Sequence, residues 1–446
     1  MRLTTGTHVP AAQRRGSVRR RAWILGLFTA VAPVAGASGA EPATLLLRCG
    51  RVVDGRSERA LAPGVVQVRG ERIIAVGTEP PAAPGATVVD LGDATCLPGL
   101  FDLHAHVLYS PGADPMTDYL TRSSARKALD GLRAAQAMLR AGFTTLRDPG
   151  DQDALFATVE IRDAIRRGEF EGPRLLVAPH FFSATGGHGD LNMLAPDAVR
   201  WAPGRIVDGV EAIRAAVREE VKYGADWIKL FASGGVMSAG DDPRAQAYSE
   251  EELRAAVEEA HRLGRRVTVH AIGPDAIKAS LRAGVDCVEH GILIDDEGIA
   301  LMKQREVWLV PTLYVLNYIV DEGPRLGYPD ESIAKARALI GERDRRLRAA
   351  FAAGVKVAFG SDTIFPHDQA AREFPHLVRL GLSPAAAVRA ATLSAAEALG
   401  LDAELGTLEP GKLADVIAVA GDPLTDVRAL QSVRFVMKSG RVVRRP

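Results

Sequence analysis

Leu97-Pro98-Gly99-Leu100-Phe101-Asp102-Leu103-His104-Ala105-His106 decides how this chain is read. An apolar run ends on two histidines two positions apart, so in an extended strand both imidazoles face the same way. The pattern recurs downstream, each time as a short apolar run closing on a side chain suited to metal or acid–base chemistry. Lys229 does so in WIKLF, His270 in VTVHA, His290 in VEHG and Asp362 in FGSD. The strand-like runs are CLPGLFDLHAH, TTLRD, RLLVAP, DWIKLFA, RVTVHA, DCVEHG, WLVPTL and KVAFGSD, with helix-patterned stretches between them. Ser249 and Glu252 make a capping box that opens one of those helices, and Gly264 closes it. Strand–helix alternation with aliphatic strands implies a parallel sheet. Eight such units favour an α/β fold of the closed (β/α)8 TIM-barrel type, whose strand ends converge on one mouth. No Gly-x-Gly-x-x-Gly fingerprint supports an open dinucleotide-binding sheet.

Outside this middle region the texture changes. Residues 41–95 and 406–446 carry short β runs broken by turns, such as VVQVRGERIIAVG and VRFVMKSGRVV. They are expected to form one small β-sandwich built from both termini, around a barrel spanning 96–405. Residues 1–40 are a different material. Arg14, Arg15, Arg19, Arg20 and Arg21 precede the apolar run Ala22–Ala35, and Ser38 and Ala40 follow at signal-peptidase spacing. This reads as a signal peptide for export to the periplasm or beyond. Arg20-Arg21-Ala22-Trp23-Ile24 loosely resembles a twin-arginine signal, with Sec and Tat export both left open. The whole chain balances 55 basic against 55 acidic residues. Removing this segment takes six arginines and no acid, leaving 49 against 55, about −6. Nothing in that balance favours nucleic acid or, after signal removal, a membrane. Three cysteines are too few for a disulfide framework. Cys49 and Cys96 can pair only if the fold brings them together, and Cys287 reads as buried filler. Oligomeric state, including a homo-oligomer, is left open.

Four imidazoles, a carboxylate and a lysine amount to a ligand set for two divalent metal ions, zinc being a good match. Asp102 shares strand parity with the two histidines, and is either a partner that supports the metal ligands or purely structural. Lys229 stands among Trp227, Ile228, Leu230 and Phe231. It either reaches solvent, pairs with an acid such as Asp226, or is desolvated enough to take up CO2 as a carbamate (N6-carboxylysine) that bridges two cations. Asp362 is placed to bind one metal and take the proton of attacking water.

With these positions in place the chain resembles the metal-dependent amidohydrolase superfamily, from about Ala43 to the C-terminus. LPGLFDLHAH, the strand-end lysine, VTVHA, VEHG and GSD stand in that family's order, and Gly406–Asp415 is similar to its return into the sandwich. The resemblance implies a hydroxide shared by two zinc ions. His104, His106 and Asp362 would hold one and His270 and His290 the other, with carboxylated Lys229 between them. The loops Ser183–Asp190 and Ser233–Ser238 resemble those of the imidazolonepropionase-related branch, which includes prolidases, Xaa-Arg/Lys dipeptidases and ochratoxinase-like amidases. This implies hydrolysis of a dipeptide or N-acyl amino acid, a small-molecule amide. His188 is then either a donor to the substrate, and with Asp362 a candidate catalytic residue, or a loop-stabilising side chain. His180 is a poorer candidate. Tyr314 is a candidate substrate contact, as are His367 and Arg372. A mononuclear aminohydrolase is disfavoured because Gly273 stands where its glutamate would be. A lactonase or phosphotriesterase would need the same core, and a non-catalytic binding protein would need no metal.

Overall fold

The computed structural model describes residues 43–445 except 82, 112–117, 119–120, 152 and 196–204. The expected export segment lies outside the described residues. Parallel strands and helices alternate through the middle of the chain, and the strands fall into two sheets. The smaller runs Leu100–Asp102, Phe143–Asp148, Arg174–Val177. The larger has the order Arg205–Ile206, Phe181–Ser183, Trp227–Phe231, Arg266–Ala271, Cys287–His290, Trp308–Val310. Its register sets Phe231 beside His270 and Ala271 beside His290, so the polar strand ends stand level.

The expected eighth strand, KVAFGSD, departs from prediction. It makes one isolated bridge, Val357 to Leu309, and no continuous ladder. Its backbone nevertheless bonds to both flanking elements. Ala358 N donates to Leu309 O (3.0 Å), Leu103 N donates to Phe359 O (2.9 Å) and Asp362 N donates to His104 O (2.7 Å). The passage is tight at Gly360, where only glycine fits: a Cβ would fall 2.3 Å from Val310 Cγ1 and 2.9 Å from His104 Cβ. Asp362 then turns the chain at φ +57°. Among the described residues the barrel is therefore not closed by a continuous sheet.

CLPGLFD is also divided. Thr95–Pro98 pairs antiparallel with Val416–Val419, whereas Leu100–Asp102 joins the parallel sheet. The switch falls where Gly99 N bonds Asp415 O and Leu100 N bonds Gly142 O, each at 2.9 Å. Thr95–Pro98 thus belongs to a five-stranded sheet of Arg441–Arg444, Val433–Lys438, Val416–Val419, Thr95–Pro98 and Arg51–Val52. A four-stranded sheet contains Arg72–Gly77, Gly64–Arg69, Thr44–Cys49 and Thr87–Asp90. Side chains from both, including Leu47, Val66, Ile73, Val416 and Phe435, share one apolar cluster. Cys49 and Cys96 form a disulfide there, with Cα atoms 6.0 Å apart. Cys287 is a buried free thiol. The chain from Pro42 onward forms one compact unit. Among the described residues no helix is long and apolar enough to cross a membrane.

Two helix starts bear on the site. Ser249 and Glu252 form the expected capping box on Glu250–Arg262. Leu313–Leu326 begins after Thr312, which sits at φ +44°. Its first free N–H groups, on Leu313 and Tyr314, each donate to one oxygen of buried Glu373 at 2.7 Å. A carboxylate satisfying orphan donors at a helix N-terminus is the favourable arrangement. Burial pushes Glu373 up to about 8, against the pull of those two N–H groups.

Candidate active site

The strand carrying LHAH ends at Asp102, before either histidine. Asp102 Oδ1 accepts the His104 N–H at 3.0 Å and the Ser361 N–H at 3.1 Å, and its other oxygen accepts the Ser361 hydroxyl. Strand alternation is therefore not what aligns the imidazoles; a turn pinned by Asp102 does so. Burial raises the Asp102 carboxyl to about 7. The two rings still meet edge to face, with centroids 4.9 Å apart.

Three of the four imidazoles have one nitrogen tied back firmly. His104 Nδ1 lies 2.7 Å from Glu289 Oε2, His290 Nδ1 2.6 Å from Thr312 Oγ1, and His270 Nε2 3.0 Å from Gly234 O. His106 Nδ1 faces Asp151 Oδ1 at 3.5 Å. Such contacts fix ring orientation and tautomer and leave the second nitrogen as a ligand. His104 Nε2 and His106 Nε2 approach to 3.1 Å, and Asp362 Oδ1 stands 3.7 and 3.4 Å from them. The His290 ring lies tilted 5.0 Å from His104 and edge-on 4.6 Å from His270, centroid to centroid. Donor atoms of His104, His290 and Asp362 lie within 4.8 Å of one another, as do those of His106, Asp148 and Asp151. Donor atoms gathered this closely need a cation or a shared proton among them, which makes both groups candidate metal sites.

Burial holds His104, His270 and His290 well below the ordinary imidazole range, the neutral form that binds metals. Burial also opposes charge on His106, but Asp151 and Asp362 outweigh it and draw that ring up to about 10. Asp362 is pushed up by burial and brought down to about 2 by the facing His104 and His106. Lys229 neither reaches solvent nor pairs with Asp226. It is 1 % exposed, and Asp226 is taken by Arg162 at 2.7 Å. Among the described residues Lys229 Nζ has no hydrogen-bond partner, and burial lowers it to about 8 against the pull of Glu289.

Residues 95–443 match the amidohydrolase family. The chain belongs to that family. It is 35% identical over 373 residues to ochratoxinase of Aspergillus niger, covering 78% of this chain and 76% of that one. A crystal structure of a Xaa-Pro dipeptidase with bound methionine superposes at a TM-score of 0.83 with 31% identity, over 90% of this chain and 100% of that one. A prolidase complexed with N-methylphosphonate-L-proline gives 0.83 with 34% identity, over 90% and 100%. This amidohydrolase is thus a hydrolase acting on C–N bonds, with the His/Asp groups of a metal-dependent enzyme.

The other sequence candidates divide. His188 lines the same cavity, of about 180 Å³, as His104, His106, Lys229, His270, His290 and Asp362. His180 does not; its Nδ1 bonds Glu220 at 2.9 Å. Tyr314 is not on the cavity wall. Its ring packs 4.8 Å from Phe365, and its hydroxyl accepts from Arg372 Nη1 at 3.0 Å, so both are structural here. His367 Nε2 contacts His106 O at 3.0 Å and steadies the histidine turn.

The sequence reading missed Glu289 and Arg147. Glu289 is wholly buried and binds His104, Arg147 and Thr268, while Arg147 also donates to Leu103 O and lies over Trp227. Charged residues inside the wholly buried strands Phe143–Asp148 and Cys287–His290 were the available signal. Glu289→Gln is expected to leave the Arg147 cation without its counter-charge, costing about 3–5 kcal/mol of stability. Metal affinity should fall about 10–100-fold as His104 loses its anchor. Urea unfolding and competition with a chelator measure the two effects separately.

Proposed function

We propose that this chain is a two-metal amide hydrolase that releases the C-terminal amino acid from a dipeptide or N-acyl amino acid with apolar groups about the scissile bond. One observation carries the reading. Lys229 Nζ, buried and without a partner, shares a cavity floor with four imidazoles and Asp362. At a pKa of about 8, part of that amine is neutral near pH 7 and attacks CO2. The N–C bond forms, one N–H proton leaves to solvent, and the carbamate anion carries two oxygens able to bridge cations. His104, His106 and Asp362 would hold one ion, and His270 and His290 the other. Zinc suits this mixed imidazole and carboxylate set. When bound, the ions supply Lewis acidity toward the carbonyl and lower the pKa of water. Asp362, held ionised, takes the proton of the attacking water and passes it to the leaving amine.

The walls above this floor include Val236, Met237, Ile272, Leu316, Ile319 and Ile364. Both acids at the rim are already engaged. Asp118 is paired with Arg122 at 2.7 Å, and Asp190 accepts the N–H groups of Gly186 and Leu191. Among the described residues both rim acids thus already have partners and the walls are mainly apolar, which favours apolar substrates over the Xaa-Arg/Lys type. With metal-reconstituted protein, elemental analysis should give two metals per chain. A panel of dipeptides and N-acyl amino acids should show apolar members favoured over basic ones by about tenfold or more in kcat/KM. Protein without stoichiometric metal, or a preference for basic residues, would overturn the reading. Export is part of the proposal. The arginine-led apolar segment supports it, and so does the Cys49–Cys96 disulfide, a bond that persists in oxidising compartments.

A further inference from the structure

His188 stands on the cavity wall with its ring centroid 4.5 Å from that of His270 and 4.6 Å from that of Phe231. Its Nδ1 is 2.7 Å from Ser238 Oγ, and that oxygen is 2.7 Å from both carboxylate oxygens of Asp241. A serine hydroxyl has one proton to give. Were it given to His188, the Ser238 oxygen would face the Asp241 carboxylate lone pair to lone pair. Ser238 therefore donates to Asp241 and accepts from His188 Nδ1–H. Asp241 is kept an anion by its surroundings. Lys335 Nζ reaches it at 2.9 Å and the Gly235 N–H at 2.8 Å, while Lys335 also donates to Ser238 O at 2.8 Å. The assembly is close-packed: a Cβ at Gly235 would lie 2.1 Å from His188 Nδ1.

We propose that Ser238, Asp241 and Lys335 are positioning residues that lock His188 as the Nδ1–H tautomer, so that Nε2 enters the cavity as an acceptor for a substrate N–H. The sequence expectation that His188 donates to the substrate is thereby reversed. The proposal rests on the amide-hydrolase reading for its substrate consequence. A secondary amide brings an N–H to the reaction centre, whereas the tertiary amide of an Xaa-Pro bond has none. N-acyl amino acids and dipeptides ending in residues other than proline are thus the better-bound class.

Two measurements test this, and the first needs no turnover. In full-length, zinc-loaded protein labelled with 15N-histidine, two-bond 1H–15N correlations report which ring nitrogen carries the proton; loss of signals in His188→Asn identifies the residue. The expected result is a proton on Nδ1, with Ser238→Ala shifting the population toward Nε2–H. A wild-type ring protonated on Nε2 overturns the tautomer, whatever the fate of the hydrolase reading. The second compares an N-acyl amino acid with its N-methylated analogue, as KM or as a competitive Ki where turnover is slow. Ser238→Ala should weaken the secondary amide by up to about tenfold, with kcat within about twofold. The N-methyl analogue should be unaffected, and Ser238→Thr should restore binding. Equal losses on both ligands, or a fall in kcat with KM intact, would refute the acceptor role.

Discussion

Lys229→Ala is expected to lose most of its bound metal and about a thousandfold or more in turnover. That corresponds to roughly 4 kcal/mol of the transition-state stabilisation a metal site supplies. An amine 1 % exposed and without a hydrogen-bond partner among the described residues is costly to bury, and the Phe231 ring 5.6 Å away and the pull of Glu289 offset that cost only in part. A structural lysine in this position would have a carboxylate partner, and removing it would destabilise the fold. Here Glu289, the buried acid that pulls hardest on the amine, is committed to Arg147, Thr268 and His104. Truncation thus removes an unsatisfied polar atom, and the folded state should survive with a cavity in its place. On the proposed function the missing piece would be a bridging carbamate on a long stem, so acetate or propionate should partly restore metal content and activity in the Ala variant. Rescue that rises with carboxylate concentration separates this account from a general loss of packing. A variant with full metal content and turnover would show that the amine has no carbamate role.

The site was more legible in the sequence than the architecture that builds it. His104, His106, His270, His290, Lys229 and Asp362 could be read because each ends a buried run. A buried imidazole or amine is costly enough that its presence is informative. The partners that aim them were harder to see. Glu289 lies one residue before His290 and shares its run, but nothing local says that it serves His104, distant in sequence. Thr312 is equally silent: its hydroxyl reaches His290 only because the chain there adopts φ +44°. Tyr314, read as a substrate contact, shows the converse. Helix periodicity turns Val315, Leu316 and Ile319 to the cavity and Tyr314 to the Phe365 side. The eighth strand failed for a similar reason, since KVAFGSD has a strand's composition but Gly360 and Asp362 make it a tight passage beside His104. Propensity described the run, and tertiary crowding decided its shape.

Asp362→Asn is expected to lower kcat by about 10²–10⁴-fold, the range for removing a positioned general base, while leaving the fold intact. The choice of asparagine matters. Asp362 sits at φ +57°, where asparagine and aspartate are tolerated and most other side chains are strained. The backbone bond from Asp362 N to His104 O can therefore persist in the Asn variant, and the histidine turn with it. An alanine there would add conformational strain of about 1–2 kcal/mol, confounding chemistry with stability. The amide keeps one oxygen for a cation but has no charge to hold a proton. It also removes the anion that His104 and His106 face at 3.7 and 3.4 Å. The loss should accordingly fall on kcat, with KM for a good substrate changed far less and thermal unfolding close to that of the parent. Metal content needs to be measured on the same preparation. Full occupancy with collapsed kcat isolates the proton transfer, whereas half occupancy assigns the loss to the ion that His104, His106 and Asp362 would share. An Asn variant retaining more than about a tenth of parental kcat would mean that another group accepts the proton. His188 would then be the remaining candidate at the cavity wall, because among the described residues only its Nδ1 has a hydrogen-bond partner, whereas Asp148, Asp151 and Glu289 are bound to backbone N–H groups or to Arg147.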